Sequence, residues 1–142
     1  MLITVDFNQV IRALDALAKE VERKAAGSPA VMREIADAMA AAVAENFERE
    51  GKPPWPDIAP STKEARRRRG AWPGDILNES GALKSSIASE FGADFASVGT
   101  DVPYAAALQF GTEFMPARPF LTLTNPDMEW IAALYSDFLG DF

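Results

Sequence analysis

Apolar side chains at Phe7, Val10, Leu14, Leu17 and Val21 recur every three or four residues, the repeat of one helix face. Residues 7–24 therefore read as an amphipathic helix. Asp6 stands at the N-cap position, and Gln9, three residues on, completes a capping-box pattern. Before it, Leu2-Ile3-Thr4-Val5 is β-branched and apolar and reads as a short strand. Ala25-Ala26-Gly27 ends the helix. Ser28-Pro29 opens the next one, with serine as cap and proline at the first helical position, where no N–H is missed. Ile35, Met39, Val43 and Phe47 mark its buried stripe, and alanines at 38, 40, 41, 42 and 44 let another helix approach closely. This helix runs to about Glu50, where Gly51 stops it.

Periodicity then fails. The stretch KPPWPDIAPSTKEARRRRGAWPGD holds five prolines and two tryptophans, with one possible helical turn at 61–69. A connection this long is usually functional or disordered, and large aromatics are depleted from segments that never pack. Residues 51–75 thus read as an extended arm that becomes ordered against something. Beyond it, Asn78-Glu79-Ser80-Gly81 turns into a short helical piece through Leu83. Ile87, Ser89 and Phe91 alternate, Gly92-Ala93-Asp94 turns, and Phe95 to Val98 alternates back as a β-hairpin. Tyr104 to Phe110 reads as a short helix ended by Gly111, and Phe120 to Thr124 as a strand fixed at its start by Pro119. Asn125-Pro126-Asp127 opens a last helix whose Ile131, Leu134, Tyr135 and Phe138 are expected to face inward. The predicted fold class is α+β: about three main helices packed on a small, mostly antiparallel sheet, in a single domain over residues 1–142.

Composition narrows the chemistry. With 142 residues, 48% of them hydrophobic and 25% charged, the chain has the make-up of a globular domain. No apolar run approaches the roughly 18 residues of a membrane helix, and MLITVDFNQV lacks the basic start and apolar middle of a secretory signal. Cysteine and histidine are both absent, which excludes disulfides, thiolate chemistry, triads built on histidine, and the commonest zinc, copper and iron ligands. What remains would be carboxylate pairs, lysine or tyrosine, and no pair stands out among 21 acids. No enzyme activity, cofactor or metal is expected.

Charge is unevenly spread. Residues 61–70, STKEARRRRG, carry a local charge of +4 on a chain of −7, which leaves −11 on the rest. An acidic body with one basic loop is poorly suited to nucleic-acid binding, because most of its surface repels phosphate. It suits meeting another acidic body, including a copy of itself. Arg66, Arg67, Arg68 and Arg69 can form a partner-binding patch or simply a solvated helix face, and they cannot all point one way. Trp55 and Trp72 flank them and can cover the core, but their place beside four arginines favours interface anchors, since Trp and Arg are enriched where binding energy concentrates. Arg118 sits between Pro116 and Pro119, its guanidinium placed for a carboxylate or for several carbonyl oxygens. An intramolecular brace is the favoured reading, with Glu113 one partner within sequence reach.

Taken in order, these residues resemble a known family. The series runs through Trp55-Pro56, Ile76 to Leu83, Val98 to Thr100, Tyr104-Ala105, Gln109 to Thr112 and Pro116 to Leu121. It is similar to the phage virion morphogenesis (tail completion) family of Mu-like and P2-like contractile-tailed phages and prophages. The resemblance spans the C-terminal two thirds in register, and the two N-terminal helices agree in pattern. Two positions depart from it: Leu108 stands where a polar residue or histidine is often found, and the arginine tract is individual to this chain. The resemblance implies a structural virion protein, assembled in the host cytoplasm, that completes the tail or joins head to tail. It implies a homo-oligomeric ring at the neck, six copies by analogy with the sixfold tail, with other neck or tail proteins as partners and no membrane. The competing reading is a monomeric or dimeric adaptor that takes a protein partner with the 51–75 arm. An acid-pair enzyme ranks far below both.

Overall fold

A computed structural model describes residue 4 and residues 6–140. Among these the chain forms α1 (Phe7–Ala25), α2 (Pro29–Glu48), α3 (Pro60–Arg68), α4 (Ala82–Ser86), β1 (Ala88–Phe91), β2 (Ala96–Gly99), α5 (Ala105–Phe110) and α6 (Asn125–Gly140). The class is α+β, as expected. The strand expected over residues 2–5 lies outside the described residues except for Thr4, which belongs to no element.

Helix α2 is the axis of the fold. Its Ser28 cap accepts a hydrogen bond from the Val31 N–H at 3.4 Å, and Pro29 follows in the first turn. Met32, Ile35, Ala36, Ala42, Val43 and Phe47 are buried along it, and Met39 is half-buried. One side meets the β1–β2 hairpin and another meets α6. The hairpin is antiparallel with Ser89 opposite Val98 and Phe91 opposite Ala96, and it closes through the Gly92 N–H to the Phe95 carbonyl at 2.9 Å. The central core gathers Val43, Phe47, Trp55, Ile58, Ile76, Leu83, Ala105 and Phe120. Phe47 meets Phe120 at 5.6 Å between ring centres and Trp55 edge-on at 6.0 Å.

Three expectations need correction. Residues 120–124 form no strand, because their backbone finds its partners in side chains rather than in a neighbouring strand. Gln109 Oε1 accepts from the Phe120 and Leu121 N–H groups at 3.0 and 2.9 Å, and Gln109 Nε2 donates to the Leu121 carbonyl at 3.1 Å. Asn46 Nδ2 donates to the carbonyls of Phe120 and Thr122 at 2.8 and 3.0 Å. Secondly, Tyr135 is exposed. Helix α6 packs on one side only, with Ile131, Leu134 and Phe138 half-buried and no residue fully buried. Thirdly, the segment expected to hold one turn at 61–69 carries the nine-residue helix α3, begun by Pro60.

Helix α1 stands apart. Asp6 caps it, accepting from the Asn8 N–H at 2.9 Å, while Gln9 meets the cap through its backbone N–H, 3.1 Å from the Asp6 carbonyl. Amphipathic helices ordinarily lay their apolar stripe on a core. Here the stripe lies in solvent: Phe7, Val10, Ile11, Leu14, Leu17 and Val21 are between 42% and 75% exposed. The helix is held at its C-terminal root. Lys24 is buried there and its Nζ donates to the Leu139 carbonyl at 3.0 Å. Gly27, at φ +83°, passes so close to the hairpin loop that a Cβ would lie 2.0 Å from the Ala93 carbonyl oxygen.

Candidate assembly surfaces

Residues 108–121 form a closed clasp. Gly111 at φ +74° turns the chain after α5, and the Thr112 N–H bonds the Met115 carbonyl at 2.9 Å. A side chain at 111 would strike the backbone, since a Cβ there would sit 2.6 Å from the Ala117 nitrogen. The return leg is tied by the Arg118 N–H to the Leu108 carbonyl at 2.7 Å and by the Gln109 amide described above. Arg118 itself is buried. Its Nε donates to the Pro56 carbonyl at 2.7 Å and its Nη2 to the Asp57 carbonyl at 2.8 Å. Trp55 Nε1 donates to the Pro119 carbonyl at 2.8 Å from the other side. Arg118 thus joins the clasp to residues 55–57 through backbone carbonyls, and Glu113 is exposed. Burial pulls the Arg118 guanidinium below its ordinary pKa, against the opposite pull of Asp57.

The arginine run divides by helix geometry, since successive residues point about 100° apart. Arg66 turns inward and is buried, with Nη1 on the Asp75 carbonyl and Nη2 on the Ile76 carbonyl, both at 2.8 Å. Arg67 and Arg68 face solvent and share Glu64, and Arg69 reaches Glu79 at 2.6 Å. Trp72 is half-buried, with Lys63 lying 5.3 Å from its ring centre while also ion-pairing with Asp57. The hydrogen bond from Lys63, then that from the Ile58 N–H, holds the Asp57 carboxyl below its ordinary range. Of the expected interface set, then, Trp55 and Arg66 are built into the subunit's own interior. Arg67, Arg68 and Arg69 remain at the surface, and Trp72 partly so.

Two features escaped the sequence reading. Asn46 is fully buried and orders the 120–122 backbone, yet an Asn inside an Ala-rich helix carries no periodic signal. Phe110 and Phe114, on the rim of the clasp, are 80% and 91% exposed. Their position around Gly111 is the signal that could have found them: a turn that tight leaves flanking side chains outside.

The family model of the phage virion morphogenesis family matches residues 5–139. The chain belongs to that family. Among similar proteins, Mu-like prophage FluMu G protein 2 of Haemophilus influenzae is 38% identical over 133 residues, covering 89% of this chain and 88% of that protein. The putative capsid assembly protein G of Escherichia phage Mu is 30% identical over 135 residues, covering 87% and 83%. FluMu G protein 1 of H. influenzae is 30% identical over 140 residues, covering 95% and 87%. No solved structure matches the chain. As a virion morphogenesis protein, it takes part in building a particle. The strings Gln109 to Thr112 and Pro116 to Leu121, which carried the resemblance, are the two legs of the clasp.

Proposed function

We propose that this protein is a structural subunit that completes the tail or joins it to the head, working without catalysis as an oligomeric ring at the neck of a particle assembled in the host cytoplasm. The observation that supports this is how much apolar side chain the subunit leaves in water. The α1 stripe and the Phe110–Phe114 pair are both far more exposed than a free-standing monomer needs. The exposed arginines 67 to 69 on an acidic chain add an ionic contact of the kind that steers one acidic subunit onto another. The adaptor reading, with 51–75 as a free arm, is weakened because Trp55, Ile58 and Arg66 anchor that segment in the body.

The test is a particle carrying a deletion of this protein, examined by electron microscopy. Heads and tails that accumulate separately, or tails of uncontrolled length, are expected, with rescue by the wild-type chain. Joined, infectious particles in its absence would overturn the reading.

A further inference from the structure

The exposed apolar surface takes two shapes. Helix α1 is a ridge whose Phe7, Val10, Leu14, Leu17 and Val21 follow a three–four spacing, the seam of a helix that packs along another. The stripe is about 21 Å long at 1.5 Å per residue. Beside the root of the same helix lies a groove of about 380 Å³ between α2 and α6, lined by Met32, Ile35, Met128, Ile131, Ala132 and Tyr135. Its Met128, Ala132 and Tyr135, with Leu139 beyond them, form an exposed strip along α6 at helical spacing, about 16 Å long. Ridge and groove are therefore both apolar, and the α6 strip spans most of the ridge's length. Ala25 and Gly27 line the groove at one end, and Lys24 is bonded to Leu139, so the subunit's own ridge is rooted at the groove while its stripe stays in solvent.

We infer that α1 of one copy lies in the α2–α6 groove of the next copy. Pairing ridge with groove covers both apolar surfaces, whereas pairing ridge with ridge would leave two grooves in water. Charge does not oppose the match: α6 bears Asp127, Glu129 and Asp137 and no cation, and Asp94 lines the groove, while the exposed length of α1 is balanced, with Arg12, Lys19 and Arg23 against Asp15, Glu20 and Glu22. Six large side chains of the stripe supply on the order of several hundred Å² per subunit, a large part of the ~800 Å² per partner of a stable interface. Such a contact uses two different patches of each subunit, as a head-to-tail ring requires. The inference rests on the ring reading above and specifies its contact.

Two variants test it. Leu14→Asp spoils the ridge, and Ala132→Arg fills the groove; both positions are exposed, so each variant should melt as the wild type does. In sedimentation velocity the wild-type chain should form oligomers, and each variant alone should sediment as a monomer. Mixed together, they should form a one-to-one dimer, because one intact ridge then meets one intact groove. If Ala132→Arg assembles as the wild type does, the helices pair with each other and the inference falls. Wild-type chain that stays monomeric at its highest soluble concentration, or a mixture that stays monomeric, overturns it too. The same variants, expressed in particles lacking the protein, separate this contact from the neck reading. Joined particles from assembly-defective variants would overturn the neck reading and leave the contact standing. Variants that oligomerise as the wild type does would overturn the contact alone.

Discussion

Four adjacent arginines have different roles because a helix turns them to different neighbours. Arg66 donates to two backbone carbonyls from inside the fold and also pairs with Glu79 at 3.3 Å, whereas Arg67 and Arg68 share the surface carboxylate of Glu64. Hydrogen bonds from a charged donor are worth about 1.5–3 kcal/mol each, and exposed ion pairs about 0–1 kcal/mol. Arg66→Ala should therefore destabilise by on the order of 3–6 kcal/mol in urea unfolding, while Arg68→Ala should change stability by less than about 0.5 kcal/mol. Equal effects would show that α3 is turned differently. Arg118 belongs with Arg66. Its partners are carbonyls rather than a buried carboxylate, so no stranded charge is left when it is removed, and the loss should stay near that of Arg66.

Among the elements, α1 depends on a corner. Gly27 joins α1 to α2 at φ +83° with its Cα pressed toward the Ala93 carbonyl. A second glycine, Gly70, has a similar φ of +73° after α3 but faces open space. Alanine at either position meets the backbone strain of about 1–3 kcal/mol. Only Gly27→Ala adds a collision with the hairpin loop, so it should be the more destabilising of the two in parallel denaturant melts. Should the two variants cost the same, α1 is not seated against residue 93. The 120–122 segment shows a related dependence: its extended backbone is ordered by two amides, Asn46 and Gln109, in place of a strand partner.

For the molecule as a whole, acid should act through a few carboxylates. Thr124 and Asp127 form a capping box at the start of α6, the Asp127 carboxylate accepting from the Thr124 N–H at 2.8 Å and hydroxyl at 2.7 Å. Burial alone would raise its pKa, but these bonds and Lys52 outweigh it and hold it below the ordinary range. Asp57 is lowered mainly by Lys63. A carboxyl lowered on folding stabilises the fold above its unfolded pKa, and that contribution is lost as pH falls through the folded value. The melting temperature should thus be nearly flat from neutral pH to about pH 5 and fall below about pH 4. Asp127→Asn should lower it at neutral pH and shallow the acid limb. An unchanged limb would mean that the cap does not carry the linkage.

Helices α2 and α6, the β1–β2 hairpin and the Gly111 stop were legible in the sequence, because each follows from neighbours along the chain: a period, a cap, a turn. The clasp motif was legible as an ordered string and not as a geometry, since Gln109 and Arg118 act on backbone that only folding brings near. The burial of Trp55 and Arg66 and the exposure of the α1 stripe were decided by tertiary structure alone. Periodicity tells which side of a helix is apolar. It cannot tell whether the same chain supplies a surface to cover that side, because that depends on contacts far apart in sequence, and among the described residues the α1 stripe stays exposed while its root is held by Lys24.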